Sequence, residues 1–208
     1  MLFSLFLSIA SILQAEFFSS ESVITEDIEN RMKYSWKENN PVPLSDLRYI
    51  TVSHWGFDSE IHIGELIVHK SVSAELIEIF QELFAAKFPI EKMILIDAYQ
   101  ANDDLSMEDN NSSAFCSRTI TGIPDEFSLH SYGVAIDINP KLNPFVEDDL
   151  VLPESGISYL EREQVIPGLI NRDNICYKAF KKRDWHWGGD GWDGYPERKD
   201  YQHFEKAL

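Results

Sequence analysis

Residues 133–138 read Gly-Val-Ala-Ile-Asp-Ile, a short β-branched run with a single carboxylate inside it. As a buried strand it turns Val134, Ile136 and Ile138 to one side and Ala135 with Asp137 to the other. A carboxylate on so apolar a strand is costly unless something neutralises it. His130 stands just before the run, where its ring can converge with Asp137 on a metal ion. Spacing alone equally allows an Asp137–arginine pair with His130 as an ordinary loop residue, and at this point both readings are open.

A second segment, Asp200-Tyr201-Gln202-His203-Phe204-Glu205, lies far downstream. Asp200 and His203 are three apart, which on a helical turn places them on one face with about 5–6 Å between Cβ atoms. Taken alone, the pair reads as charged residues on a solvated terminal helix. Combined with His130 and Asp137 it completes the inventory of a catalytic zinc site: three protein ligands, an open position for water and a nearby base.

The pattern Ser-x-His-x6-Asp from Ser128 to Asp137, then Trp187-Gly188-Gly189-Asp190, then Asp-x-x-His-Phe from Asp200, resembles the zinc peptidases that cut peptidoglycan stem peptides. These are the D-alanyl-D-alanine carboxypeptidases, the vancomycin-resistance peptidases and the L-alanyl-D-glutamate endopeptidases. The segments Pro41–Tyr49, His54–Asp58, Gly64–His69, Asn110–Arg118 and Ala135–Pro140 are similar to one bacterial branch, so the likeness runs from about Pro41 to the C-terminus. It implies one zinc ion held by His130, Asp137 and His203, with Asp200 as the general base that serves the attacking water. Arg118 is implied as the cation that meets the oxyanion or a substrate carboxylate; a structural ion pair is its other reading. Ser128 is expected to orient His130 or the substrate, and His186, Trp187 and Asp190 to lie around the substrate. His186 competes with His203 as third ligand. His203 is preferred because Asp184 is only two residues from His186 and the Asp-x-x-His-Phe context fits the family. The implied activity is D-alanyl-D-alanine carboxypeptidase. The alternatives are an L-alanyl-D-glutamate endopeptidase and an inactive zinc-retaining binding module, as in the Hedgehog signalling domains of related fold.

Composition narrows the partners. The net charge of −17 carries no basic nucleic-acid footprint. It also repels the carboxylate-rich stem peptide, so attraction must be local, from zinc and Arg118. Residues 1–15 are uncharged and mostly apolar, too short to span a bilayer and suited to a signal peptide, which implies export to the periplasm or beyond. No stable membrane span is expected in the mature chain, and a monomer is expected. Cys116 and Cys176 are the only cysteines; they form either one disulfide or two buried thiols.

The expected organisation is a signal peptide over 1–15, a loosely structured lead-in over 16–40 and one zinc peptidase domain over 41–208. Arg48–His54, Gly64–His69 and Met93–Ala98 read as strands. Ser73–Phe88 reads as an amphipathic helix with Leu76, Phe80, Leu83 and Phe84 on one face and Glu75, Glu78 and Glu82 on the other. Ala101–Ser113 reads as a polar loop, 140–158 as a long connection and Asn174–Arg183 as a helix capped by Asn174. The fold class is α+β: a small antiparallel sheet carrying the zinc site, with helices packed on one side.

Overall fold

The computed structural model describes residues 15–120, 123–195 and 197–208. Residues 1–14, on which the signal-peptide expectation rests, lie outside it. Strand β1 (Ser19–Val23) and helix α1 (Glu26–Arg31) precede the long hairpin of β2 (Leu47–Trp55) and β3 (Ile61–His69), followed by α2 (Ser73–Ala85) and α3 (Asp103–Glu108). Then come β4 (Thr119–Ile120), β5 (Ile123–Phe127), α4 (Leu129–Tyr132), β6 (Ala135–Asp137), β7 (Phe145–Glu147) and β8 (Leu150–Leu152). The chain closes with α5 (Ile175–Lys181), β9 (His186–Trp187), β10 (Lys199–Asp200) and β11 (His203–Glu205).

The molecule is mixed α and β, with small antiparallel sheets ordered β1-β2-β3, β10-β7-β8, β6-β11-β9 and β4-β5. The strand period of β2 and β3 turns Ile50, Val52, Leu66 and Val68 inward, onto Leu76, Ile79, Phe80 and Leu83 of α2. The same core reaches the other half of the molecule through Ile136, Phe180, Trp185 and Phe204, where the Phe180 and Phe204 rings stack at 3.9 Å. Sheet and helices thus support β6 and β11 from behind. Among the described residues no helix is long and apolar enough to cross a membrane.

The structure departs from expectation in four places. The lead-in is ordered: β1 pairs with β2 from Ser19 opposite Val52 to Val23 opposite Arg48, Thr25 caps α1, and Met32 is fully buried. It is an edge strand held by backbone pairing, so its side chains carry little apolar signal. Met93–Ala98 is not a strand. The Asn111 side chain accepts from Ile94 N at 2.9 Å and donates to Ile94 O at 3.1 Å, standing in for a neighbouring strand, and a 3-10 turn follows over Ile96–Tyr99. The 101–113 loop contains α3, capped by Asn102. The 140–158 connection contains the β7–β8 hairpin.

The acidic face of α2 also has partners. Glu75 accepts from Lys206 and Trp185, and Glu82 from Lys182 and Arg183. Cys116 and Cys176 are free and buried.

Candidate metal centre and its cleft

Strands β6 and β11 run antiparallel with His203 opposite Asp137, Phe204 opposite Ile136 and Glu205 opposite Ala135. Strand alternation sends Ile136 and Phe204 into the core and leaves Asp137, His203 and Glu205 on the other face. Directly opposed residues hold their Cβ atoms about 4.5–5.5 Å apart, so the pairing itself brings Asp137 to His203. The third member comes from α4, one helical turn. Ser128 is its N-cap, its hydroxyl accepting from His130 N at 3.3 Å. Gly133 closes the turn at φ 72°, and a Cβ there would meet His69 N at 2.7 Å. His130 Nδ1 is directed to the Ala114 carbonyl, which turns Nε2 toward Asp137 and His203.

The donor atoms of the three side chains converge. His203 Nδ1 lies 3.0 Å from Asp137 Oδ1 and 3.2 Å from His130 Nε2, and His130 Nε2 lies 3.2 Å from Asp137 Oδ2. Two imidazoles and one carboxylate are a donor set suited to zinc. Ligands at 2.0–2.1 Å in tetrahedral array are separated by about 3.3 Å, so the spacing of this trio fits such an ion. His130, Asp137 and His203 are all buried. Burial opposes ionisation of Asp137, but the flanking His130 and His203 outweigh it and hold the carboxyl well below the usual range. Burial pushes His203 down, yet hydrogen bonds to Asp137 and Glu205 lift it to about 10.

Asp200 stands beside this group on β10, paired with Phe145 of β7. Burial pushes its carboxyl up to about 7, and Oδ1 has no hydrogen-bond partner among the described residues. Asp200 and His203 do not share a helical turn, as the spacing suggested. Each is extended because a different sheet claims it: β7 takes Asp200 and β6 takes His203. Both nevertheless face one cleft of about 420 Å³, which Arg118 and Ser128 also line. Arg118 makes the structural ion pair and also lines the cleft. Its Nη2 pairs with Asp103 Oδ2 at 3.0 Å, while its charge is felt by Asp137 and Asp200.

His186, Trp187 and Asp190 do not line the cleft. The His186 ring lies 5.5 Å from Trp192. Trp187 is core, packed on Phe204, with Nε1 donating to Tyr201 O at 2.9 Å. Asp190 is paired with Arg172 at 2.7 Å. Trp187, opposite Phe204, turns to the core, while His186, opposite Glu205, stands on the ligand face against Trp192 without lining the cleft. Trp192 and Tyr195, beyond the Gly-Gly turn, form the wall.

The residue that sequence reasoning missed is Glu205. Its Oε2 lies 2.9 Å from His203 Nε2, and its Oε1 accepts from Trp192 Nε1 at 2.8 Å. A strand period applied from His203 places position 205 on the ligand face; a helical period hides it.

Residues 121–206 match the family model described as D-alanyl-D-alanine carboxypeptidase. That stretch contains His130, Asp137, Asp200 and His203, and the match supports a peptidase. No curated protein and no solved structure matches the chain.

Proposed function

We propose that this chain is a zinc-dependent metallopeptidase that hydrolyses an amide bond in peptidoglycan stem peptides, of the D-alanyl-D-alanine carboxypeptidase type. The observation that carries the reading is the convergence of His130, Asp137 and His203 beside the unpartnered oxygen of Asp200 in one cleft. When bound by the three ligands, zinc supplies Lewis acidity, polarising a carbonyl and acidifying water at neutral pH. Asp200 takes the proton of the attacking water and returns it to the departing amine, work for which a carboxyl near pH 7 is matched. Arg118, fixed by Asp103, presents its charge to the negative oxygen that develops on the substrate. Ser128 holds the turn that aims His130. A module that only bound peptides would need no base there, so Asp200 favours the enzyme.

The L-alanyl-D-glutamate endopeptidase reading is supported by the cleft walls. Ile120 and Ile123 of the β4–β5 hairpin and Trp192 and Tyr195 of the 192–195 segment both line the cleft, as a substrate continuing past the cut bond requires. Export from the cell remains part of the proposal, since its substrate lies outside the membrane.

The test is mass spectrometry of purified muropeptides incubated with the zinc-loaded chain, beside a chelator control. Loss of one terminal alanine identifies the carboxypeptidase; release of the stem after its first L-alanine identifies the endopeptidase. Asp200→Asn is expected to keep zinc and lose about 10²–10⁴-fold in turnover. Full activity in that variant would overturn the mechanism.

A further inference from the structure

Every metal-directed imidazole here has a second ring nitrogen to satisfy, and the two histidines satisfy theirs differently. His130 turns Nδ1 to a neutral carbonyl, that of Ala114. His203 turns Nε2 to a carboxylate, Glu205 Oε2, at 2.9 Å. Glu205 sits two residues beyond His203 on β11, hence on the same face. Its other oxygen accepts from Trp192 Nε1 at 2.8 Å, and Trp192 lines the cleft.

We propose that Glu205 is a positioning residue of the metal centre: it fixes His203 with Nδ1 toward Asp137 and His130, and it ties the cleft wall at Trp192 to that same ligand. The inference rests on the metallopeptidase reading and deepens it. A carboxylate acceptor on Nε2 commits the ring proton to that side and leaves the Nδ1 lone pair facing Asp137 and His130. It also raises the basicity of the ligand, as carboxylate–histidine–metal arrangements do. The wall follows because one carboxylate cannot lose its place without releasing both His203 and the indole.

The experiment is zinc competition against a chromophoric chelator on the purified chain, with the visible spectrum of the Co²⁺-loaded chain as a second readout. Glu205→Ala is expected to weaken zinc binding by about 10–100-fold, the usual cost of removing such a partner. Its Co²⁺ bands should shift, since the ring is no longer held. Glu205→Gln keeps an acceptor for Nε2–H and loses the charge, so it should bind between wild type and Glu205→Ala and recover the wild-type Co²⁺ bands. His186→Ala is the control for loosening of the strand edge. His186 lies directly across the ladder from Glu205 and packs on Trp192, so it shares Glu205's neighbours. It should bind zinc as wild type does.

Wild-type affinity in both Glu205 variants overturns the proposal, and so does an equal loss in His186→Ala. If Glu205→Ala does not fold, Glu205→Gln decides alone: wild-type zinc affinity in it overturns the role. A wild-type chain that binds no zinc overturns the metallopeptidase reading itself, and the proposal with it.

Discussion

The two halves of this molecule are built by different means. In the first, β2 and β3 are nine residues each and α2 is thirteen, and repetitive backbone bonding with a regular apolar face does the work. In the second, the strands that carry the candidate ligands Asp137 and His203 are three residues long, β6 and β11. There short backbone ladders are supplemented by buried side chains. Asn143 donates to the carbonyls of Ile138, Asn139 and Gly168 and accepts from Ile170 N and Arg162. Arg162 in turn donates to the Leu142, Tyr159 and Ile170 carbonyls and lies 4.5 Å over the Tyr201 ring, next to Asp200. A regular scaffold tolerates local error because each bond is one of many. A side-chain lattice concentrates its hold in a few groups, and those groups sit beside the chemistry.

That contrast can be broken by experiment. Phe80→Ala, in the fully buried α2 face, is expected to cost about 3–5 kcal/mol of stability. The protein that remains folded should bind zinc as before; denaturant unfolding and zinc titration read the two separately. Asn143→Ala should cost about 1–3 kcal/mol for each buried group it leaves unsatisfied, Ile170 N among them, and weaken zinc measurably, because Ile138 directly follows Asp137. Equal zinc affinity in both variants would erase the distinction between the halves.

A further effect is one of pH. In the metal-free chain His203 stands at about 10, and a ligand must surrender its proton. Zinc affinity should therefore climb about tenfold per pH unit between roughly pH 7 and 9. Stability of the metal-free chain runs the opposite way. The raised His203 contributes fully below the ordinary histidine pKa, and its contribution is lost as pH rises through about 10. A flat zinc affinity over that interval would show that His203 is not the titrating ligand. On the proposed mechanism turnover requires Asp200 ionised, so the acid limb should fall at or below about 7, since a cation held by the neighbouring trio would pull it downward.

What the sequence made legible follows the same division. The β2–β3 hairpin, α2 and the Asn174-capped α5 announce themselves by period and cap, and each is present with ends shifted by a few residues. The converging trio was legible through its motifs, since His130, Asp137 and His203 do meet. The geometry around it was not. Asp200 and His203 look helical by spacing because nothing local reveals that two separate sheets claim them. Glu205 stayed hidden for the same reason. Met93–Ala98 has the composition of a strand, yet it makes one backbone bond to β3, at Met93 O, and a distant side chain, Asn111, takes both backbone groups of Ile94.

The cross-strand pairing of His203 with Asp137 sets different limits on length change along the chain. One residue inserted within Ala135–Asp137 or His203–Glu205 would rotate the following side chains to the opposite face, sending a ligand into the phenylalanine-lined interior and a core residue into the cleft. Residues 193–195 carry no such register: Trp192 is tied to Glu205 and stays in step with the ladder, while the wall beyond it can vary in reach. Divergent copies of this architecture should thus keep the two tripeptides and the approach to Trp192 at fixed length and differ in the stretch between Trp192 and Lys199. On the proposed function, substrate preference can be re-engineered there by lengthening or shortening the chain, without disturbing the His130–Asp137–His203 group.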